Sequence, residues 1–174
     1  MRVSRSFLAI SLLCTFLLAV GCSAPDEEQN ELIRFPADSF ENLLTIGNVT
    51  LDTETSSDGN GSLRILFEEG ETIPLYTCGD LDVEDAIITY YAEVRSEQLN
   101  GIAYLEMWCD FEGGETYFSR GLDMPFTGSA DWTTLKTPFL LKEGQNPTNI
   151  RLNLVVEGSG MIWIDKIRLL RSPH

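Results

Sequence analysis

Tyr104, Glu106, Trp108 and Asp110 fall at alternate positions of one stretch, and Tyr91, Glu93 and Arg95 do the same in the stretch before it. An extended chain has a side-chain period of two, so each run gathers rings and charged heads on one side. The other side then holds Ala103, Leu105, Met107 and Cys109 in the later stretch and Ile88, Tyr90, Ala92 and Val94 in the earlier one. Aromatic rings beside carboxylates and guanidinium groups suit a pyranose, whose apolar face stacks on a ring while its hydroxyls pair with charged acceptors and donors. If both stretches lie in one sheet they share an outward face, to which a third strand adds Arg151 and Asn153. The roles that follow are stacking for Trp108, Tyr104 and Tyr91, and hydroxyl recognition for Glu106, Asp110, Arg95 and Asn153. The competing reading is a convex face with incidental cross-strand pairs.

Signatures of catalysis are sparse. His174, the only histidine, is the last residue, where a positioned base is hard to hold. No Gly-x-Ser-x-Gly elbow, phosphate loop, dinucleotide glycine pattern or Cys/His zinc spacing occurs. Glu93, Glu106 and Asp110 leave a carboxylate-pair glycosidase as the lesser alternative, and the expectation is a binding protein rather than an enzyme. The 27 acidic against 12 basic side chains, net −15, repel nucleic acid and anionic headgroups. A neutral or cationic partner, or a bound divalent metal, fits that balance better.

The elements that must position these residues are strands. Ile150, Leu152, Leu154 and Val156 alternate with Arg151, Asn153 and Glu157, and the same period appears at 88–95 and 102–111. Further strands are expected near 48–53, 62–68, 72–78, 114–120, 132–141 and 160–170, separated by turn-rich pieces such as Ser57 to Gly61 and Lys142 to Pro147. Helix-like stretches are short, at 38–44 and 82–86. So many short strands in one domain imply an all-β, two-sheet β-sandwich or jelly roll. Trp132, Trp163, Phe67, Phe118 and Phe139 are expected to close its core.

At the N-terminus, Arg2 and Arg5 precede an apolar run from Phe7 to Val20. Roughly 14 residues fall short of the ~20 that span a bilayer, so residues 1–21 are expected to be a removable signal peptide. The stretch Leu18-Ala19-Val20-Gly21-Cys22 resembles the lipobox of bacterial lipoproteins, which implies that Cys22 carries fatty chains and that Ser23 directs sorting to the outer membrane of a cell envelope. Residues 22–37 are expected to be a solvated tether and 38–171 the folded domain. In an oxidising compartment, Cys78 and Cys109 are expected to form a disulfide.

Gly61-Ser62-Leu63-Arg64-Ile65 after a glycine-rich turn, Asp131-Trp132 opening a strand, and the run Glu157 to Leu169 occur in an order that resembles the galactose-binding-domain-like jelly rolls, which include many carbohydrate-binding modules. The resemblance covers roughly residues 38–171 and implies the fold; it leaves open glycan binding, recognition of an envelope protein, or a structural role. Asp165 shares strand parity with Met161, Trp163, Ile167 and Leu169, which sets a carboxylate among apolar side chains. In the resembling modules an acid here, a glutamate near the first strand and the turn before the Ser-Leu-Arg strand often hold a structural calcium. The matching positions are Asp165, Glu41 and the turn around Asp58. The alternative for Asp165 is a set of hydrogen bonds from backbone amides.

Overall fold

Apolar and polar residues alternate through most of this chain, with many β-branched and aromatic side chains, so its backbone bonds to neighbouring strands rather than to itself. The computed structural model describes residues 29–174, and every regular element in them is a strand. The strands are β1 (Asn30–Arg34), β2 (Val49–Asp52), β3 (Ser62–Phe67), β4 (Glu71–Cys78), β5 (Ala86–Asp110), β6 (Thr116–Arg120), β7 (Phe126–Leu141) and β8 (Asn149–Ser172). The expected signal peptide, the lipidated Cys22 and the first part of the tether lie outside the described residues.

β5 and β8 set the architecture. They pair antiparallel from Ile87 opposite Ser172 to Asp110 opposite Asn149. Midway the register slips between Glu97 and Asn100, where Gln98, Gly101, Gly158 and Gly160 all take positive φ. Irregular register and glycines bend both strands at one place, so their halves belong to two facing layers. The first half of β5 and the second half of β8 lie with β1, β2, β3 and β7. The second half of β5 and the first half of β8 lie between β6 and β4. Ile88, Tyr90 and Val94 from one layer bury in the same core as Leu105, Met107, Leu152 and Leu154 from the other. The protein is therefore an all-β, two-sheet sandwich, as the alternation implied.

At the bend Gly101 stands opposite Gly158. A Cβ on Gly101 would sit 2.0 Å from the Glu157 carbonyl oxygen, and one on Gly158 would sit 1.9 Å from that of Asn100. The two backbones pass too closely for any side chain at either position.

Several expectations need correction. β1 lies inside the segment assigned to the tether; Leu32, Ile33 and Phe35 pack on the core, and that apolar surface is why the segment orders against β8. Residues 38–44 form turns and 82–86 have no helix, Asp82 and Asp85 taking positive φ instead. Phe118 is half exposed and Trp132 lies outside the core, whereas Phe67 is fully in it and Phe139 packs against it. Strand parity in β8 is not constant: Ile162 and Ile164 point inward before Asp165, and Ile167 and Leu169 do so after it. Lys166, at φ 48, absorbs the shift, with β3 pairing β8 up to Ile164 and β1 pairing it from Arg168.

The expected disulfide is also overturned. Cys78 in β4 and Cys109 in β5 both stand opposite Ile150, on either side of β8. Two strand spacings put their Cα atoms about 9.6 Å apart, beyond the ~7 Å that a disulfide bridges. Both are free thiols, and burial pushes Cys78 up to about 11 and Cys109 up to about 12.

Candidate functional site

In the second half of β5 the odd-numbered Leu105, Met107 and Cys109 are fully buried, while Tyr104, Glu106, Trp108 and Asp110 point away from the core. That is the expected register, but Tyr104, Glu106 and, opposite, Asn153 are almost fully buried, so the stacking expected of Tyr104 and the hydroxyl recognition expected of Glu106 and Asn153 give way to bonds within the face. Cross-strand pairing then builds three rows on the outer face of the second layer, because directly opposed residues share a face. Arg151, Trp108 and Phe118 form one row across β8, β5 and β6. Asn153, Glu106 and Arg120 form the next, and Asn149, Asp110 and Thr116 the third.

Glu106 is the hub. Its Oε1 accepts from Trp108 Nε1 at 2.6 Å and from Asn153 Nδ2 at 3.0 Å, and its Oε2 accepts from Arg120 Nε at 2.7 Å. Burial alone raises this carboxyl's pKa, but the donated bonds and the guanidinium charge outweigh it and hold the group below its usual range. Asp110 is likewise held low, first by the bond from Asn149 and further by Thr116 and Arg151. Tyr104 donates to Glu157 Oε1 at 2.9 Å, and its phenol is raised by burial and by that carboxylate.

An apolar platform stands beside this network. The rings of Trp108 and Phe118 are 4.8 Å apart, tilted by 37°. Arg151 lies 5.5 Å over Trp108 and Arg120 lies 4.7 Å over Phe118. Phe118 is half exposed. Along the same face an open trough of about 540 Å³ is lined by Thr72, Tyr104, Arg120, Val155 and Glu157. Among the described residues, Arg120 has only its Nε engaged and Glu157 only one oxygen, so both retain capacity for hydroxyl groups.

The earlier run does not join this face. Tyr91, Glu93 and Arg95 belong to the first half of β5, beyond the bend, and point outward on the opposite side of the sandwich. There Tyr91 lies under Arg168, Glu93 accepts from Thr134 at 2.7 Å, and Arg95 covers Trp163 while pairing with Glu97 and Asp131. The expectation of one shared face failed because the register slip at Glu97 and the bend after it are invisible to simple alternation. It also separates Glu93 from Glu106 and Asp110. Those last two are four strand residues apart, roughly 13 Å at the Cα, with each carboxylate held by its own set of donors. Phe118, Arg120 and Glu157 were missed; the alternation through 116–120 carried the signal, but Phe118 was assigned to the core.

The expected calcium ligands do not converge. Asp58 and Asp165 line a small cavity of about 170 Å³, while Glu41 is exposed, lies away from it and gives only a backbone bond to Ser39. Both oxygens of Asp165 accept backbone N–H groups, from Ser57 at 2.7 Å and from Lys166 at 2.6 Å. The Ser57 carbonyl faces Lys166 Nζ at 3.3 Å. Among the described residues no group of three or more Asp, Glu, His or Cys side chains is placed to share a metal ion. The donor set does not fit the ion that the resemblance implied.

No family model and no curated protein matches the chain. Solved structures do. The CBM22-1 xylan-binding domain of Paenibacillus barcinonensis Xyn10C superposes with a TM-score of 0.60 at 13% identity, covering 86% of this chain and 99% of that one. The CBM22-1–GH10 modules of Clostridium thermocellum Xyn10B, complexed with xylohexaose, give 0.62 at 13% identity, covering 81% of this chain but 28% of that one. A family 16 carbohydrate-binding module gives 0.55 at 13% identity, covering 80% of this chain and 99% of that one. At such identities the likeness is one of architecture, and this chain has the β-sandwich of carbohydrate-binding modules.

Proposed function

We propose that the outer face of the second layer binds a neutral glycan without catalysis, with Trp108 and Phe118 as the apolar platform and Arg120, Arg151 and Glu157 meeting the hydroxyls. The observation that carries this reading is the pair of a partly buried Trp108 and a half-exposed Phe118, flanked by two guanidiniums of which one, Arg120, also lines the trough. A partly solvated ring pair beside fixed donors is what a sugar's two-sided chemistry needs. The net charge of −15 disfavours an acidic polymer. Carbohydrate-binding modules of the same architecture, including a xylan-binding domain, support the reading.

Affinity electrophoresis against soluble neutral polysaccharides, xylan first, tests it. Trp108→Ala and Phe118→Ala will each weaken retention by about tenfold or more, while Arg95→Ala on the opposite face will leave it unchanged. Retention by xylan or a β-glucan that is indifferent to both ring removals would take the site off this face.

The rival reading, a module that holds an envelope protein, draws on the exposed Leu122 and Met124, which follow Phe118 in the loop between β6 and β7. A protein that ignores every polysaccharide tested but whose binding to one envelope component is lost with Met124→Ser would favour it.

The same proposal places the domain in a bacterial cell envelope, held by lipid on Cys22 and sorted to the outer membrane. Metabolic labelling with palmitate will mark the protein and disappear in Cys22→Ala; label that persists in that variant would remove the anchor.

A further inference from the structure

The cavity whose charged lining is Arg34, Asp38, Asp58, Asp165 and Lys166 joins the 52–61 turn to the irregularity in β8, and the Arg34 guanidinium is already engaged by both oxygens of Glu31. Three carboxylates around one small space need a positive charge nearby. We infer that Lys166 supplies it from within the chain, and that this domain holds the turn in place without calcium.

Four observations carry this. Asp165 is almost fully buried, and each of its oxygens already accepts a backbone N–H, the one from Ser57 anchoring the turn directly. The carbonyl of Ser57, an oxygen a calcium ion would recruit from this turn, accepts from the Lys166 ammonium at 3.3 Å. The carboxyl of Asp58 is held below its usual range, chiefly by the Asn60 backbone N–H and also by the charge of Lys166 at longer range. Finally, Lys166 sits at φ 48, a conformation where glycine carries no strain and a lysine does. A residue with a long charged side chain at such a position is accounted for by what its head group does. The ammonium also lies on the same β8 irregularity that orients Asp165, so one local distortion delivers both the acceptor and the cation.

Thermal unfolding of the whole protein tests the inference on two independent arms. The wild type will melt at the same temperature in millimolar EDTA and in millimolar calcium chloride. Lys166→Gln, which keeps the backbone strain and removes the charge, will melt about 2–4 °C lower in either solution. A wild-type melting temperature that rises by several degrees with calcium over EDTA overturns the inference, and so does a Lys166→Gln variant that melts with the wild type.

Discussion

Gly158→Ala will not give a native domain: its melting transition will fall by well over 10 °C or vanish, with loss of near-ultraviolet circular dichroism. The new Cβ would lie 1.9 Å from the Asn100 carbonyl oxygen and 2.9 Å from its carbon, both rigid backbone atoms in the facing strand. Moving that strand is expensive because Gly101, directly opposite, makes the mirror-image approach to Glu157. The φ of 144 adds strain for any L side chain. A loss beyond about 4 kcal/mol follows, the range reserved for severe backbone clashes and unfilled cores. Gly47→Ala is the control, since nothing lies within 4 Å of a Cβ there and its φ is not positive; it will melt with the wild type. A Gly158→Ala protein melting within a few degrees of the wild type would mean that the bend is pliable.

Glu106→Ala will destabilise the domain by about 2–3 kcal/mol and abolish glycan retention together. Hydrogen bonds to a charged acceptor are worth about 1.5–3 kcal/mol, and a buried donor left unpaired adds its desolvation penalty. Asn153 is buried and loses its partner outright, whereas Arg120, 40% exposed at its side chain, can turn to water and softens the effect. The carboxyl's depressed pKa fixes the sign of the pH dependence. Its stabilising contribution is complete above the unfolded-state value and drains away as pH falls through the lower folded-state value. The gap between wild type and Glu106→Ala, followed by thermal melts from about pH 6 to about pH 3, will therefore narrow on acidification. A gap that stays constant across that range would show that the carboxylate's charge is not what the three donors hold.

How far the sequence disclosed this molecule depends on the length over which a pattern holds. Alternation at 102–111 and 148–157 set the inward and outward sides correctly, because both are regular stretches paired without a break. The same logic failed at Asp165, where a single left-handed residue reverses the parity that simple counting assumes. It failed again in placing Tyr91 beside Tyr104, since a bend made by Gly101 and Gly158 depends on two segments far apart in the chain. Asp165 was recognised as anomalous from its neighbours alone, but its partners, Ser57 and Lys166, became visible only once the turn lay against β8. Phe118 shows the reverse problem. A phenylalanine in a strand reads as core by hydrophobicity, and only its pairing with Trp108 placed it on the wet side.

The ladder between β5 and β8, which resumes on both sides of the bend, leaves the sandwich with no seam. In a sandwich whose layers meet only through side chains, one sheet can loosen while the other persists. Here the strand that carries Val155 and Glu157 in the trough is the same strand that holds β3 and β1 at its far end. Melting is accordingly expected to be all-or-none, and a glycan bound over Trp108, as proposed, is expected to slow amide exchange across the whole domain, including the ladder between β1 and β8.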